Sequence, residues 1–328
     1  MDMAEEKIEN GEIPNNEIQL RDTDLKAMLN KEALVYDESI NRKEDFNNSI
    51  DDIYVYSGQA LNQQELFELS CREDIKFVLV AGPFSSGKTT LETMLYYIFL
   101  EGKNQKFKFC GSYTMLGFWK RAKKMMSSSG EPEPIVDRTS SGDKDWFLHL
   151  KVQDFSGKQE NLVLADISGE IFSNAEKLND YNEIFHDIEN VILIIDGEKI
   201  SDSMEQKNAY TETIVLLRQL LKNSIVTQNT KLQIVCTKQD KIQAAENREQ
   251  LEDYLKEKYK VLLRQYQKEV YSMNFMTVSA FLIDESSEIR KMEDIICKCL
   301  EKIPVINSGY TENLLQKVRQ FEYYFAER

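Results

Sequence analysis

One short segment constrains the fold of this chain more than any other. Residues 82–89, Gly-Pro-Phe-Ser-Ser-Gly-Lys-Thr, fit the phosphate-loop pattern G-x-x-x-x-G-K-[ST]. The nearly continuous apolar run at residues 75–81 is typical of a strand buried on both faces of a parallel sheet. Apolar residues then recur at helical spacing over residues 88–100. The order of strand, glycine-rich loop and helix is the context in which this pattern holds phosphate.

Each residue type in the loop has a physical role. Glycines let successive backbone N–H groups converge on a phosphate, and the following helix presents its positive end. We expect Lys88 to bridge the β- and γ-phosphate oxygens and the hydroxyl of Thr89 to bind Mg²⁺. The residues predicted to bind the phosphates are Gly82, Pro83, Phe84, Ser85, Ser86, Gly87, Lys88, Thr89 and Thr90.

A second group on the metal side is predicted within residues 162–169, Leu-Val-Leu-Ala-Asp-Ile-Ser-Gly, which begin with an apolar run at 162–165. Asp166 follows this run and is expected to meet Mg²⁺ through a water molecule. Gly169 has no side chain to obstruct the approach of its backbone N–H to a γ-phosphate. That N–H would therefore sense whether the γ-phosphate is present.

The base is predicted to be read at the carboxyl end of a later strand. That strand ends at Thr237 and delivers Thr237, Lys238 and Asp240 to the edge where open α/β sheets bind ligands. A carboxylate there accepts two hydrogen bonds from guanine N1 and its exocyclic amine, which adenine does not offer, while the Lys238 stem covers the ring. The next strand leads to Ser279 and Ala280, and the backbone N–H of Ala280 is expected to donate to guanine O6.

Taken in order, the phosphate loop, Asp-x-x-Gly, Thr-Lys-x-Asp and Ser-Ala resemble the motifs of the translation-factor-related (TRAFAC) class of GTPases, over about residues 72 to 302. More narrowly, residues 107–121 and the Asp-Ile-Ser-Gly-Glu of residues 166–170 resemble bacterial domains of the double-GTPase type. Such domains are encoded beside partner proteins in conflict or defence cassettes. The resemblance implies a GTP-binding switch that hydrolyses GTP to GDP with Mg²⁺ and acts with partner proteins.

The same resemblance implies residues for the hydrolytic step. Small GTPases place a threonine before the second strand to hold magnesium and the attacking water; Thr139 has that position, and Thr114 is the competing candidate. Where many members carry a glutamine that orients this water, the chain has Glu170. Like-charge repulsion between that carboxylate and the γ-phosphate predicts slow turnover. The predicted catalytic residues are Lys88, Thr139 and Glu170, and the predicted metal-side residues are Thr89, Asp166 and Thr139.

The rest of the chain alternates strands and helices, which predicts an α/β fold. Two strands at residues 146–153 and 160–165 flank a hairpin turn. Further strands follow at 191–195, 232–237 and 274–279, and helices at about 203–222, 245–268 and 288–300. We therefore expect a three-layer P-loop NTPase (Ras-like) fold, with a mainly parallel sheet and helices on both faces.

The predicted organisation has four parts. They are a disordered acidic tail (1–16), an N-terminal extension (17–71), the GTPase domain (72–302) and a C-terminal helix (303–328). Inside the domain, the polar residues 104–145 are expected to form a long, switch-like connection. The acid-rich stretch from Asp284 to Glu293 is interpreted as a solvated helix start.

Composition excludes several classes of protein. Lysine and arginine total 41 against 56 aspartates and glutamates, so the formal charge of -15 disfavours nucleic acid as a partner. The five cysteines favour reduced thiols, and with only two histidines a zinc site is not expected. No run approaches the roughly 20 apolar residues of a membrane span, so we expect a cytoplasmic protein without an integral membrane segment.

Two alternative functions remain open from the sequence. Because Glu170 stands where a glutamine is common, the chain is alternatively a catalytically weak, nucleotide-bound scaffold that acts through its interactions. The second alternative is a P-loop ATPase, which the guanine-type Thr-Lys-Gln-Asp disfavours. The sequence does not identify the protein partner; a second copy of the chain and a co-encoded protein both fit.

Overall fold

The computed structural model describes residues 56–100, 102, 105–122, 147–166, 182–185, 188–279 and 286–303. These residues form a seven-stranded sheet of order β2-β3-β4-β1-β5-β6-β7. The strands are β1 (Ile75–Ala81), β2 (Phe107–Gly111), β3 (Phe147–Asp154), β4 (Gln159–Asp166), β5 (Asn190–Asp196), β6 (Lys231–Thr237) and β7 (Ser272–Thr277). Strands β4, β1, β5, β6 and β7 are parallel, and β3 is antiparallel to β2 and β4.

The helices of the described residues alternate with these strands. They are α1 (Gln63–Arg72), α2 (Lys88–Leu100), α3 (Met115–Ala122), α4 (Asn182–Phe185), α5 (Gly197–Ser201), α6 (Gln206–Lys222), α7 (Gln239–Ala244), α8 (Arg248–Tyr266) and α9 (Ser286–Leu300). Since β4, β1, β5, β6 and β7 are parallel, all five end at one edge of the sheet, called the carboxyl edge below. The predicted α/β fold with a mainly parallel sheet is confirmed.

Both faces of the sheet are buried, which explains the continuous apolar runs of the central strands. Leu79 and Ala81 of β1 belong to the core cluster that includes residues of α1, α6 and α8. Val78 and Val80 alternate with them, so they point to the opposite face, and they are also fully buried. Helix α9 contacts α2, β1 and β6. A strand covered on both faces has no position that requires a polar side chain.

Residues 105–122 differ from the connection predicted over 104–145. Here the chain forms β2, which pairs with β3, and then α3, which packs against α2. The rings of Tyr96 in α2 and Phe118 in α3 stack with their centroids 4.3 Å apart. Five residues of β2 carry too short a pattern to be recognised, and their stability comes from a partner strand far along the chain. Residues 123–145 lie outside the described residues.

Two of the predicted helices are each preceded by a short helix that the sequence did not predict. The helix expected at 203–222 is preceded by the separate short helix α5, and the helix expected at 245–268 is preceded by α7. Helix α5 begins because the Asp196 side chain accepts the backbone N–H of Glu198 at 3.0 Å. The hairpin between β3 and β4 is confirmed, with the Asp154 carboxylate accepting the backbone N–H of Ser156 and of Lys158.

The segment just before β1 is part of the same core. Helix α1 begins with a capping box, in which Asn62 and Glu65 each accept the backbone N–H of the other. Leu61 pairs with Phe147 at the start of β3, and Leu66 and Leu69 are buried. The predicted acidic tail and residues 304–328 of the predicted C-terminal helix lie outside the described residues. In the part of the chain that the structure describes, no helix has the length and apolar character needed to cross a bilayer.

Candidate nucleotide-binding site

The phosphate loop lies where the sequence predicts it, between β1 and α2 at the carboxyl edge. A side chain at Gly82 would bring its Cβ within 2.7 Å of the Cβ of Ile194 in β5, so the close approach of these strands requires glycine. Ser85 and Gly87 both have positive φ, 58° and 88°. Positive φ at alternate loop residues turns successive backbone N–H groups inward, which is the geometry of an anion-binding nest.

The side chains of the loop are arranged around its centre. The Lys88 ammonium donates to the carbonyls of Gly82 and Pro83, each at 3.0 Å, and so lies over the loop. The buried hydroxyl of Ser86 donates to the Pro83 carbonyl at 2.8 Å and stabilises the turn. Phe84 is 57% exposed at the outside of the loop. The loop therefore combines the Lys88 ammonium with inward-turned backbone amides, a set of groups that fits a phosphate.

Thr89 and Thr90 lie in the first turn of α2, and both are half-buried. Asp166 is the last residue of β4, and its backbone pairs with Val80, two residues before Gly82. The backbones of the predicted metal-side residues Thr89 and Asp166 thus come from neighbouring elements at the carboxyl edge. In the described ranges, no three His, Cys, Asp or Glu side chains are grouped closely enough to hold a metal. Mg²⁺ binds nucleotides with one or two protein groups plus phosphate oxygens and water, so this donor set suits it.

Three residues predicted for the γ-phosphate and the hydrolytic step, Thr139, Gly169 and Glu170, lie outside the described residues. The competing switch threonine, Thr114, is described. It is buried, and its hydroxyl accepts the backbone N–H of His149 in β3 at 2.8 Å. His149 pairs with Val163, three residues before the end of β4, so Thr114 lies about 10 Å short of the carboxyl edge. The Thr114 hydroxyl therefore provides a hydrogen-bond partner for the backbone of β3.

The base segments, defined here as residues 237–240 and Ser279, come together at the same edge. The Thr237 hydroxyl donates to the Ser86 carbonyl at 2.6 Å, which joins the end of β6 to the phosphate loop. The Ser279 hydroxyl donates to the Asp240 carboxylate at 2.8 Å. Ala280 lies outside the described residues. The structure therefore brings the phosphate loop, Thr237 and the Asp240–Ser279 pair to one edge of one sheet.

Lys238 has an unusual backbone and a fixed side chain. Its φ is 52°, in the left-handed region that costs a non-glycine residue free energy. Its ammonium pairs with Asp196 at 3.1 Å and with Glu198 at 2.8 Å. Burial alone would lower the pKa of Lys238, but the hydrogen bonds and charges of these two carboxylates raise it. The hydrogen bond from Lys238 lowers the pKa of Glu198 in turn. The ammonium of Lys238 is therefore fixed in place by two carboxylates.

Asp196 and Glu288 hold the base segments, and the sequence did not single out either of them. Asp196 ends β5 and is 3% exposed. Glu288 lies in the stretch interpreted as a solvated helix start, but this interpretation is wrong for Glu288 and Glu293, which are 4% and 1% exposed. Their partners are backbone N–H groups outside the helix, 9 residues earlier for Glu288 and 187 and 188 residues earlier for Glu293, so helix-start composition carries no signal for them.

A phosphate loop between the first parallel strand and its helix, at the carboxyl edge of this sheet, defines the P-loop NTPase type of α/β fold. Residues 76–288, more than half of the chain, match Double-GTPase 2 (DO-GTPase2), and the chain belongs to that family. The narrower resemblance drawn from residues 107–121 and 166–170 is thus confirmed. Membership of a GTPase family implies that the chain binds a guanine nucleotide.

Solved structures similar to this chain include two at low identity. One is the signal recognition particle receptor SRb-GTP/SRX complex from Chaetomium thermophilum, 14% identical, with a TM-score of 0.34, covering 63% of this chain and 92% of that chain. Another is the cytosolic domain of the T. maritima FeoB iron transporter in apo form, 14% identical, with a TM-score of 0.30, covering 78% and 76%. No curated protein matches the sequence.

Proposed function

We propose that this protein is a guanine-nucleotide switch that hydrolyses GTP slowly to GDP and phosphate. The observation that carries the proposal is the hydrogen bond between Thr237 and the Ser86 carbonyl, since it fixes the phosphate loop beside the base segments. A nucleotide bound with its phosphates over residues 82–89 would then extend its base toward Asp240. Family membership supports guanine as that base.

The phosphates would be held by the backbone amides of the loop and by Lys88. The ammonium of Lys88 now donates to two loop carbonyls, and a bound phosphate would offer it stronger, charge-assisted partners at the same place. Mg²⁺, held by Thr89 and through water by Asp166, would neutralise charge on the β- and γ-phosphates. Gly169 would bring its backbone N–H to the γ-phosphate.

Guanine would be selected by the base segments and by the residue that follows them. The Asp240 carboxylate would accept hydrogen bonds from guanine N1 and from its exocyclic amine. The stem of Lys238, held by Asp196 and Glu198, would cover one face of the ring. The backbone N–H of Ala280 would donate to guanine O6. Adenine offers an acceptor at N1 and lacks the exocyclic amine at C2, so it would donate no hydrogen bond to the Asp240 carboxylate.

Hydrolysis would proceed by attack of water on the γ-phosphorus. The bond from that phosphorus to the bridging oxygen breaks, and GDP leaves as inorganic phosphate forms. Thr139 would position the water, and Glu170 would take the position of the usual glutamine. Because the carboxylate of Glu170 repels the γ-phosphate, turnover without an activating partner is expected to be slow.

Equilibrium binding of GDP and ADP to the purified chain in Mg²⁺ tests the base assignment. We expect GDP to bind at least about a hundredfold more tightly, because ADP lacks both N–H donors that guanine offers to Asp240 and brings an acceptor, N1, against the carboxylate. Equal affinity for the two nucleotides would contradict the proposal that the site selects guanine and would favour the P-loop ATPase alternative.

Release of phosphate from GTP tests the catalytic part of the proposal. We expect slow release by the wild type and none above background by Lys88→Met. The matched control is Lys76→Met, which removes a lysine near the start of β1, the strand that precedes the phosphate loop. Lys76 lies at the end of β1 away from the carboxyl edge and pairs with Glu189 at 3.4 Å. The control should release phosphate at the wild-type rate. Tight GTP binding without any release by the wild type would favour the scaffold alternative instead.

A further inference from the structure

The first turn of α9 holds the base segments through a buried carboxylate. Glu288 accepts the backbone N–H of Ser279 at 2.8 Å. The hydroxyl of the same serine donates to the Asp240 carboxylate at 2.8 Å. Ser279 is itself buried, so its N–H has no water to bond if Glu288 is removed. Glu288 and Asp240 are thus joined through one serine, which bonds to Glu288 with its backbone and to Asp240 with its side chain.

Lys291, one turn further along α9, links the other base segment, residues 237–240, to the same carboxylate. Its ammonium donates to Glu288 and to the side-chain oxygen of Gln239, each at 2.6 Å. The backbone N–H of Gln239 also donates to the Val278 carbonyl at 3.0 Å. Both base segments are therefore attached to α9, which packs against β1 and β6 of the sheet.

We propose that Glu288 is a positioning residue for base recognition, which fixes the orientation of the Asp240 carboxylate through Ser279. The proposal rests on the proposed function, in which Asp240 reads guanine. Two hydrogen bonds from N1 and from the exocyclic amine form together only when the carboxylate lies in the plane of the base. A carboxylate held by Ser279 alone, on a segment released from α9, would lose part of that alignment.

The test compares GDP with IDP, whose hypoxanthine base lacks the exocyclic amine. IDP would give Asp240 only the hydrogen bond from N1, so the ratio of GDP to IDP affinity reports how well Asp240 is aligned. A general loss of protein stability lowers the affinity for both nucleotides by the same factor and leaves the ratio of the two affinities unchanged. Glu288→Ala should lower the ratio about tenfold, the equivalent of roughly one hydrogen bond to a charged group.

A second buried carboxylate on the same helix provides the matched control. Glu293 accepts the backbone N–H groups of Gln105 and Lys106 and contributes to neither base segment. Glu293→Ala removes a comparable buried acceptor from α9 and should leave the affinity ratio at its wild-type value. Glu288→Gln keeps an oxygen that accepts the Ser279 N–H, so this variant should recover most of the ratio lost in Glu288→Ala.

The outcomes separate this inference from the proposed function. A wild type that binds GDP and IDP equally would overturn the assignment of Asp240 to guanine itself. A wild type that prefers GDP, with the same preference in Glu288→Ala, would overturn only the role of Glu288. An equal fall of the ratio in Glu288→Ala and Glu293→Ala would also overturn it, since both would then act through the packing of α9.

If Glu288→Ala does not fold, Glu288→Gln and Ser279→Ala test the same connection from Glu288 through Ser279 to Asp240. Ser279→Ala should lower the ratio of GDP to IDP affinity, and an unchanged ratio would contradict this connection.

Discussion

The hydroxyl of Thr237 donates a 2.6 Å hydrogen bond to the backbone carbonyl of Ser86. It joins the last residue of β6 to the phosphate loop, 151 positions away in sequence. A second carbonyl, that of Ile195 in β5, lies 3.3 Å from the same hydroxyl. One side chain therefore sets the distance between the loop that would hold phosphate and the segment that would read the base.

Thr237→Val removes this hydroxyl while keeping the shape of the side chain. The Ser86 carbonyl then loses its partner, and we expect GDP affinity to fall about fivefold and stability to fall by about 1 kcal/mol. Calorimetric titration with GDP and urea denaturation measure the two effects.

The control for this variant is Thr213→Val. Thr213 in α6 is also buried, and its hydroxyl donates to the Ala209 carbonyl at 3.0 Å, inside its own helix. The control should lose a similar amount of stability with GDP affinity unchanged. Equal losses of GDP affinity in the two variants would contradict the role given to Thr237.

Gly197, the first residue of α5, is expected to tolerate no side chain. A Cβ there would lie 2.1 Å from the Thr237 carbonyl oxygen and 3.2 Å from that of Lys238. Gly→Ala in a helix is otherwise stabilising by up to about 1 kcal/mol, so the expected sign is reversed by this contact. We expect Gly197→Ala to cost about 2 kcal/mol of unfolding free energy and to weaken GDP binding.

Lys199→Ala, in the same helix, is the comparison for Gly197→Ala. Lys199 pairs with Glu212 across exposed surface, and such a substitution should change stability by less than about 0.5 kcal/mol. Thermal denaturation of both variants checks the difference. A Gly197→Ala protein as stable as Lys199→Ala would mean that the backbone at Thr237 can move away without cost.

His149 is expected to make the fold sensitive to acid. The backbone N–H of Tyr113 donates to its Nδ1, so the proton of the neutral ring is on Nε2, facing the side-chain oxygen of Asn161. Burial lowers the pKa of His149 to about 4 from 6.5, although the hydrogen bond to Asn161 opposes the shift. Between these two values the unfolded chain binds a proton that the folded chain does not.

Stability contributed by the neutral His149 should therefore fall as the pH is lowered from 6.5 toward 4, by at most about 3 kcal/mol. The measurement is the unfolding free energy of wild type minus that of His149→Gln, by urea denaturation at several pH values. The other histidine of the chain is present in both proteins, so its titration cancels. A difference that stays constant over this range would show that His149 is not held neutral.

The sequence was sufficient where the determining residues are contiguous. The loop from Gly82 to Thr89 carries its own turn residues, and the strand and helix beside it have regular apolar patterns, so their bounds were predicted closely. Strand β2 was missed because its five residues gain their pairing from β3, about forty positions later. No local pattern contains that partner.

The residues of the candidate site also fall into two groups, those that the sequence predicted and those that it did not. The motif residues Lys88, Lys238 and Asp240 were predicted for the site because their spacing along the chain is characteristic. Asp196 and Glu288 were not, because each acts on a group that only the folded sheet brings near it. A buried carboxylate in the first turn of a helix has the same sequence appearance as a solvated one, and only its backbone partner distinguishes the two.

The most direct measurement is the base preference of Asp240→Asn. An asparagine at this position presents an N–H group where guanine requires an acceptor, and the xanthine ring of XDP presents an oxygen there. We expect the variant to lose at least about tenfold in GDP affinity and to bind XDP more tightly than GDP. Retention of the wild-type preference for GDP by Asp240→Asn would contradict the claim that this edge of the sheet reads guanine through Asp240.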